Sequence, residues 1–312
     1  MSRELPGHIR ALLDAAGGPS DSAGIPWAGR DLAGSVPATA EHAGDDGLAD
    51  AAVTAALDAL RAGRAGEDAV VDALRDARIF VPLIASVAGQ AHVGSPAAVS
   101  AEAEAEADAD ADGPDETAVG ELAAAVSDKE ADLSLVTIAA PDGRTALPVF
   151  TSVDTLRAWH PDARPIPTWA PRAALAAAAE GAQLMVLDPG GALSFVVRRP
   201  ALWALAQQKS WTPSYADPAV TAAARGATVS EPAVLQVTCD SGRGVVSAAH
   251  DGTRVPGGGS GPELRIELIL RPGLDRHDLD ATVHRIQERL AADPVFADGV
   301  DSIEMRIAAA PD

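Results

Sequence analysis

Residues 145–161 read Thr-Ala-Leu-Pro-Val-Phe-Thr-Ser-Val-Asp-Thr-Leu-Arg-Ala-Trp-His-Pro. The stretch predicts a strand, Thr145 to Thr151, running straight into a short helix. Ser152 is placed to cap a helix from Val153 to His160, with Asp154 in its first turn and Leu156 and Trp159 facing inward. Pro161 stops that helix. Pro148 lacks a backbone donor, which predicts a sheet edge or a bulge. Just upstream, Ala131 to Ala139 reads as a strand, and Pro141-Asp142-Gly143-Arg144 is a turn signal that makes the two strands antiparallel partners. This hairpin and its helix form the predicted centre of an α+β domain.

Working outward, Pro165 to Trp169 is expected as an extended edge segment, because two prolines cannot donate to a ladder. Pro171 opens an Ala-rich helix that Gly181 closes. Leu184 to Leu187 reads as a buried strand, turned by Asp188-Pro189-Gly190-Gly191 into Leu193 to Val197. A helix from Pro200 through Gln208 follows. On the upstream side, Val53, Leu57 and Leu60 fall on one helical face, with Asp45 or Asp46 as the cap and Gly63 as the stop. A second helix, Glu67 to Asp76, sets Val70, Val71 and Leu74 inward and carries acids in its first turn. The strand from Arg78 contains Pro82, again an edge or bulge signal.

Beyond residue 230 the order is β-β-β-α-β. Strands are predicted at Ala233 to Cys239, Gly244 to Ala249, Glu263 to Leu270 and Ser302 to Ile307. Between the last two lies a helix capped by Asp275, with Leu279, Val283, Ile286 and Leu290 as its stripe. The predicted fold class is therefore α+β: two small mixed α/β domains, each a largely antiparallel sheet with helices packed on it. The predicted organisation is a partly ordered leader at 1–46, a first domain at 47–209, a linker at 210–230 with room for a short helix near Pro218, and a second domain at 231–309.

Within the first domain, residues 94–127 form a predicted disordered acidic insertion. From Glu102 to Asp132 there are twelve acids and one base, too much repulsion and too little apolar surface to bury. Asp108-Ala-Asp110-Ala-Asp112-Gly113 opens like a calcium-binding loop, but Val119 stands where the bidentate Glu is required, so no calcium site is predicted.

The net charge of −21 excludes binding to nucleic-acid phosphates and docking on anionic membranes as expected functions. Cys239 is the single cysteine, so no intrachain disulfide and no Cys-based zinc site can form. No run of about 20 apolar residues appears, and residues 1–18 lack a signal-peptide core, so a cytoplasmic location is expected. Lys129 and Lys209 are the only lysines, and neither sits in a phosphate-binding loop. Pro256 to Gly261 reads as a flexible loop between strands, and Ser260 lacks the flanks of a nucleophile elbow. His277 and His284 read as surface residues without metal-spaced partners, and Asp188 as a turn residue. No catalytic constellation, cofactor or metal is predicted.

Several of these motifs together resemble the N-terminal domain of the SseB family, named for enhanced serine sensitivity. They are Ala55 to Leu60, Ile79-Phe80-Val81-Pro82-Leu83, Leu147 to Ser152, Leu156 to Trp159 and Leu187-Asp188-Pro189-Gly190. The resemblance spans roughly 47–209, and Asp21 to Arg30 with Asp128-Lys129 is similar to longer versions from GC-rich bacteria. It implies a cytosolic bacterial protein with no established catalytic activity. The expected function is an interaction or regulatory module with an unidentified protein partner, using a patch of Trp27, Arg30, Trp159 and Trp169. The alternative is a small-ligand binder or enzyme with a site between the two domains.

Overall fold

The computed structural model describes residues 42, 44–84, 136–140 and 142–310. The expected leader, apart from its last residues, and the acidic insertion with its calcium-like motif lie outside the described residues.

Helix α1 (Ala51–Arg61) buries Val53 and Leu60. Its cap is Asp50, whose carboxylate accepts from the Ala52 and Val53 amides at 2.8 and 3.3 Å. This corrects the expected cap at Asp45 or Asp46. Asp45 instead forms an ion pair with Arg78. Gly63 ends the helix at φ 66°, a left-handed position that suits glycine. Helix α2 (Glu67–Leu74) buries Val70, Val71 and Leu74, and also Glu67.

The first sheet runs β2 (Ile138–Ala139), β3 (Thr145–Val149), β5 (Leu184–Leu187), β6 (Phe195–Val197). Strand β3 pairs antiparallel with β2 and parallel with β5, and β5 pairs antiparallel with β6. The expected hairpin is present where the strand before the turn is described. The parallel β3–β5 pair is made by a crossover through α3 (Val153–Trp159), β4 (Arg164–Trp169) and α4 (Ala170–Ala179). Strand β1 (Arg78–Leu83) pairs antiparallel with β4 and meets the end of β3 through a bridge between Phe80 and Phe150.

Pro148 lies in β3, an inner strand of its sheet, but on a stretch of that strand whose flank away from β5 is locally an edge. The Phe150 amide points toward β1, so by strand alternation Pro148 faces the same flank. That flank is empty at Pro148: β2 pairs only with residues 145 and 146, and β1 joins only at Phe150. A missing donor costs nothing there. The outer β4 strand tolerates Pro165 and Pro167 for the same reason, since both flank Ile166, which pairs inward with Val81.

One sheet face packs Ile79, Val81, Leu147, Val149, Met185, Leu187, Phe195 and Val197 against α1, α2, α4 and α5 (Arg199–Ala206). The other face holds Phe80 and Phe150 under Leu156 of α3.

Residues 209–230 carry a 3-10 turn, Ser214–Ala216, and helix α6 (Pro218–Thr228), which buries Val220 and Ala224. Three strands then form a second sheet in the order β11 (Ile303–Ala309), β10 (Leu264–Leu270), β7 (Val234–Ser241). Strand β10 is antiparallel to β7 and parallel to β11. Leu264, Ile266, Leu268 and Leu270 alternate inward onto α6, α7 (Arg276–Ala292) and α8 (Pro294–Gly299). The predicted strand near Gly244 to Ala249 is a hairpin arm instead: β8 (Val246–Ala248) pairs with β9 (Arg254–Gly258). Ala249 and Val255 of this hairpin are buried in the same cluster as Leu60 and Phe195.

The glycine run is the clearest correction. Pro256 to Gly261 is not a flexible loop, because Gly257, Gly258 and Gly259 are buried and the run ends strand β9. A Cβ at Gly259 would lie 2.1 Å from the Gly244 carbonyl oxygen, and one at Gly244 would lie 1.9 Å from the Gly261 carbonyl carbon. Two backbones touch there, and only glycine permits it.

Candidate functional site

The tryptophan expectation divides in the structure. Trp27 and Arg30 lie outside the described residues. Trp159 closes α3 and packs on Phe150 with ring centroids 5.2 Å apart, part-buried beside the Phe80–Leu156 cluster. It is mainly a packing residue. Trp169 ends β4 and is 41% exposed. Its ring lies 5.2 Å from that of His42.

Register explains how the two are related. Arg78 is paired with Trp169 and Phe80 with Pro167, so all four side chains share one face of the β1–β4 ribbon. Arg78 stands over the Phe80 ring at 4.3 Å and donates to the carbonyls of Leu48 (2.6 Å) and Thr151 (3.2 Å). It thereby separates Trp169 from the cluster holding Trp159. On its free side Trp169 borders a shallow recess of about 320 Å³ with Arg75, Asp76, Pro171 and Gln208. Gln208 has φ 53°, a left-handed backbone uncommon outside glycine.

A second constellation was not singled out from the sequence. Glu67 and Arg198 are closed to solvent, and Arg198 Nη1 donates to Glu67 Oε1 at 2.8 Å. The same oxygen accepts from the Gly258 amide at 2.8 Å, while Oε2 accepts from the Tyr215 hydroxyl at 2.9 Å. Arg198 Nη2 donates to the carbonyls of Gly259 (2.7 Å) and Gly244 (3.1 Å). Burial, and then the Glu67 charge, push the Tyr215 hydroxyl well above its ordinary range. Nearby Glu263 is fully buried and accepts from the amides of Ser214 (3.2 Å) and Asp301 (3.1 Å). Burial raises its carboxyl pKa, against those hydrogen bonds and the Arg198 charge.

The cluster looks like chemistry by composition, with two carboxylates, a guanidinium and the only tyrosine. Its geometry says otherwise. Both Glu67 oxygens and both terminal Arg198 nitrogens are already bonded within the chain, as expected of a structural ion pair. The local signal for it was an arginine directly after the apolar run Phe195-Val196-Val197, together with the three consecutive glycines at 257–259.

Asp188 is more than a turn residue. It is buried with φ 48°, and its carboxylate accepts from the Thr151 amide (2.9 Å) and hydroxyl (2.7 Å), fastening the end of β5 to the end of β3. Burial raises its pKa, and the Thr151 hydrogen bonds oppose that rise. Among the described residues no three His, Cys, Asp or Glu side chains gather as a metal site, and no helix is long and apolar enough to cross a membrane. His284 lies exposed on α7, 3.2 Å from Glu288.

No curated protein and no solved structure matches the chain. A family model does: the SseB protein N-terminal domain, over residues 53–204. Those residues begin inside α1 and end inside α5, so they take in the whole first sheet, the β1–β4 ribbon, Asp188 and Trp169. The motifs at 55–60, 79–83, 147–152, 156–159 and 187–190 all fall within them, and this stretch of the chain is similar to the SseB protein N-terminal domain.

Proposed function

We propose that the chain is a non-catalytic interaction module that binds a protein partner through the surface around Trp169. The observation that carries this reading is Trp169 itself, an aromatic residue left 41% exposed beside a shallow recess in a chain with so few aromatics. An amphipathic tryptophan on a rigid strand end is an effective anchor for a partner's side chain. The closed Glu67–Arg198 cluster supports the non-catalytic half of the reading. A cytoplasmic location goes with it, supported by a single cysteine that can make no intrachain disulfide.

The test is photo-crosslinking in cells from a reactive amino acid at position 169, with position 288 on exposed α7 as control. Discrete protein adducts at 169 and not at 288 are expected. A smear or nothing at both positions sinks the reading.

A second reading, a small-ligand binder, draws on a cavity of about 410 Å³ near the start of β7, bordered by Glu231, Arg271, Asp278, Thr282 and Arg285. A thermal-shift panel of small anionic metabolites tests it, with Arg271→Ala as the variant that should lose any response.

A further inference from the structure

The edges of the sheets are not treated alike. Strand β4 is blunted by Pro165 and Pro167, β2 and β6 are only two and three residues long, and β7 has a register shift where it meets Leu270. Short edges, prolines and irregularities are the usual defences against edge-to-edge pairing. Strand β11 has none of them. It is seven residues long, without proline, glycine or lysine, and pairs with β10 in unbroken register.

The direction of its backbone groups follows from the bonds it makes. The Ser302 carbonyl accepts from the Glu263 and Leu264 amides, and the Ala310 amide donates to the Leu270 carbonyl. By alternation, Glu304, Arg306 and Ala308 also turn their polar groups to β10, while Ile303, Met305 and Ile307 turn theirs outward. The side chains divide too. Ile303 and Met305 pack toward the helix-covered core, with Ile307 beside them on that face and 42% exposed. Glu304 and Arg306 stand on the opposite face beside Arg265 (2.7 Å) and Glu267 (3.5 Å).

We propose that β11 is a homodimer interface, pairing antiparallel with β11 of a second copy about a two-fold axis at Met305. The sequence Ile303-Glu304-Met305-Arg306-Ile307 is self-complementary about that centre. Met305 meets its own copy, Ile303 meets Ile307 of the second copy, and these outward-facing residues exchange main-chain hydrogen bonds. Glu304 then falls opposite Arg306 of the second copy, in the close non-hydrogen-bonded position where opposite charges stabilise. The intrachain pairs continue the pattern: Glu267, Arg306, Glu304 of the second copy and its Arg265 alternate in sign across the joint. Ile307 is covered by Ile303 of the second copy, and two three-stranded sheets become one. An isologous contact of this kind closes after two copies and does not polymerise.

Analytical ultracentrifugation of the full chain across a concentration series is the test. A particle of twice 31.6 kDa is expected. Arg306→Glu sets Glu against Glu304 twice and should weaken association by roughly a hundredfold. Met305→Pro removes an outward donor but no bond to β10, and should also give a monomer, with a melting midpoint lowered by the loss of the Met305 side chain from the core. If Met305→Pro does not fold, Arg306→Glu decides. Mixing Arg306→Glu with Glu304→Arg restores both charge pairs and should regain a dimer. A wild-type chain that stays monomeric, a dimer indifferent to Arg306→Glu, or a mixture that fails to reassociate overturns the proposal.

Discussion

The guanidinium of Arg198, at the end of β6, and the carboxylate of Glu67, in the first turn of α2, meet at 2.8 Å with both side chains closed to solvent. A charged pair taken out of water is tolerable only when other hydrogen bonds help to satisfy it. Here Glu67 also accepts from Gly258 and Tyr215, while Arg198 also donates to the Gly244 and Gly259 carbonyls. Removing one partner strands the other. Arg198→Met is expected to lose about 3–5 kcal/mol of unfolding free energy, as is typical when a buried pair is broken. The double variant Glu67→Leu/Arg198→Met should recover much of that loss. Urea unfolding of the wild type and the two variants checks it, and equal losses in the single and double variants would contradict the account.

Glycine substitutions separate crowding from backbone strain. At Gly244 a Cβ would overlap the Gly261 backbone at 1.9 Å, whereas at Gly143 it meets nothing but requires φ 84°. Gly143→Ala should cost about 1–2 kcal/mol, the strain of a left-handed residue. Gly244→Ala should cost more than about 4 kcal/mol or prevent folding, since two backbones must part. Thermal melts of the two variants give the order.

Glu231 supplies a pH prediction. Its buried carboxylate accepts from Arg285 at 3.0 and 2.7 Å, with Arg289 at 2.8 Å. The hydrogen bonds from Arg285 outweigh burial and hold its pKa below the ordinary 4.5. A depressed folded value means that the unfolded chain takes up the proton first on acidification. The stabilisation is therefore full above about pH 4.5 and is lost as pH falls through the lower folded value. The stability gap between wild type and Glu231→Gln should shrink over that window, and a gap independent of pH would contradict it.

Ser152 caps α3 by accepting from the Thr155 amide at 3.1 Å, while the Thr155 hydroxyl accepts from the Ser152 amide at 3.2 Å. Ser152→Ala is expected to cost about 1 kcal/mol. Because α3 covers Phe80 and Phe150, the loss should appear first as faster amide exchange over 153–159.

What could be read in advance was local. The β10 alternation, the Ser152 cap and the Val70–Val71–Leu74 face all follow from spacing within one element, and the structure bears them out. What could not be read depends on partners far along the chain. Glu67 reads locally as an acid favouring a helix N-terminus, and nothing nearby reveals an arginine 131 residues away. Glycine runs signal flexible loops and tight backbone contacts equally well, and only the presence of Gly244 against Gly261 separates the two. For the tryptophans, composition marked them as anchors. Whether each is covered by its own core depends on neighbours far along the chain: Phe150 packs on Trp159, while Trp169 borders an open recess.

The span from Glu67 to Gly258 also has a consequence for synthesis. The amide that completes the Glu67 carboxylate belongs to a residue 191 positions later, outside the matched stretch of 53–204. As the chain leaves the ribosome, helices α1 and α2 and the first sheet emerge while Glu67 and Arg198 still lack the glycine strand that closes over them. The nascent domain must wait with an open, hydrated seam, and it shuts only when the β8–β9 hairpin arrives.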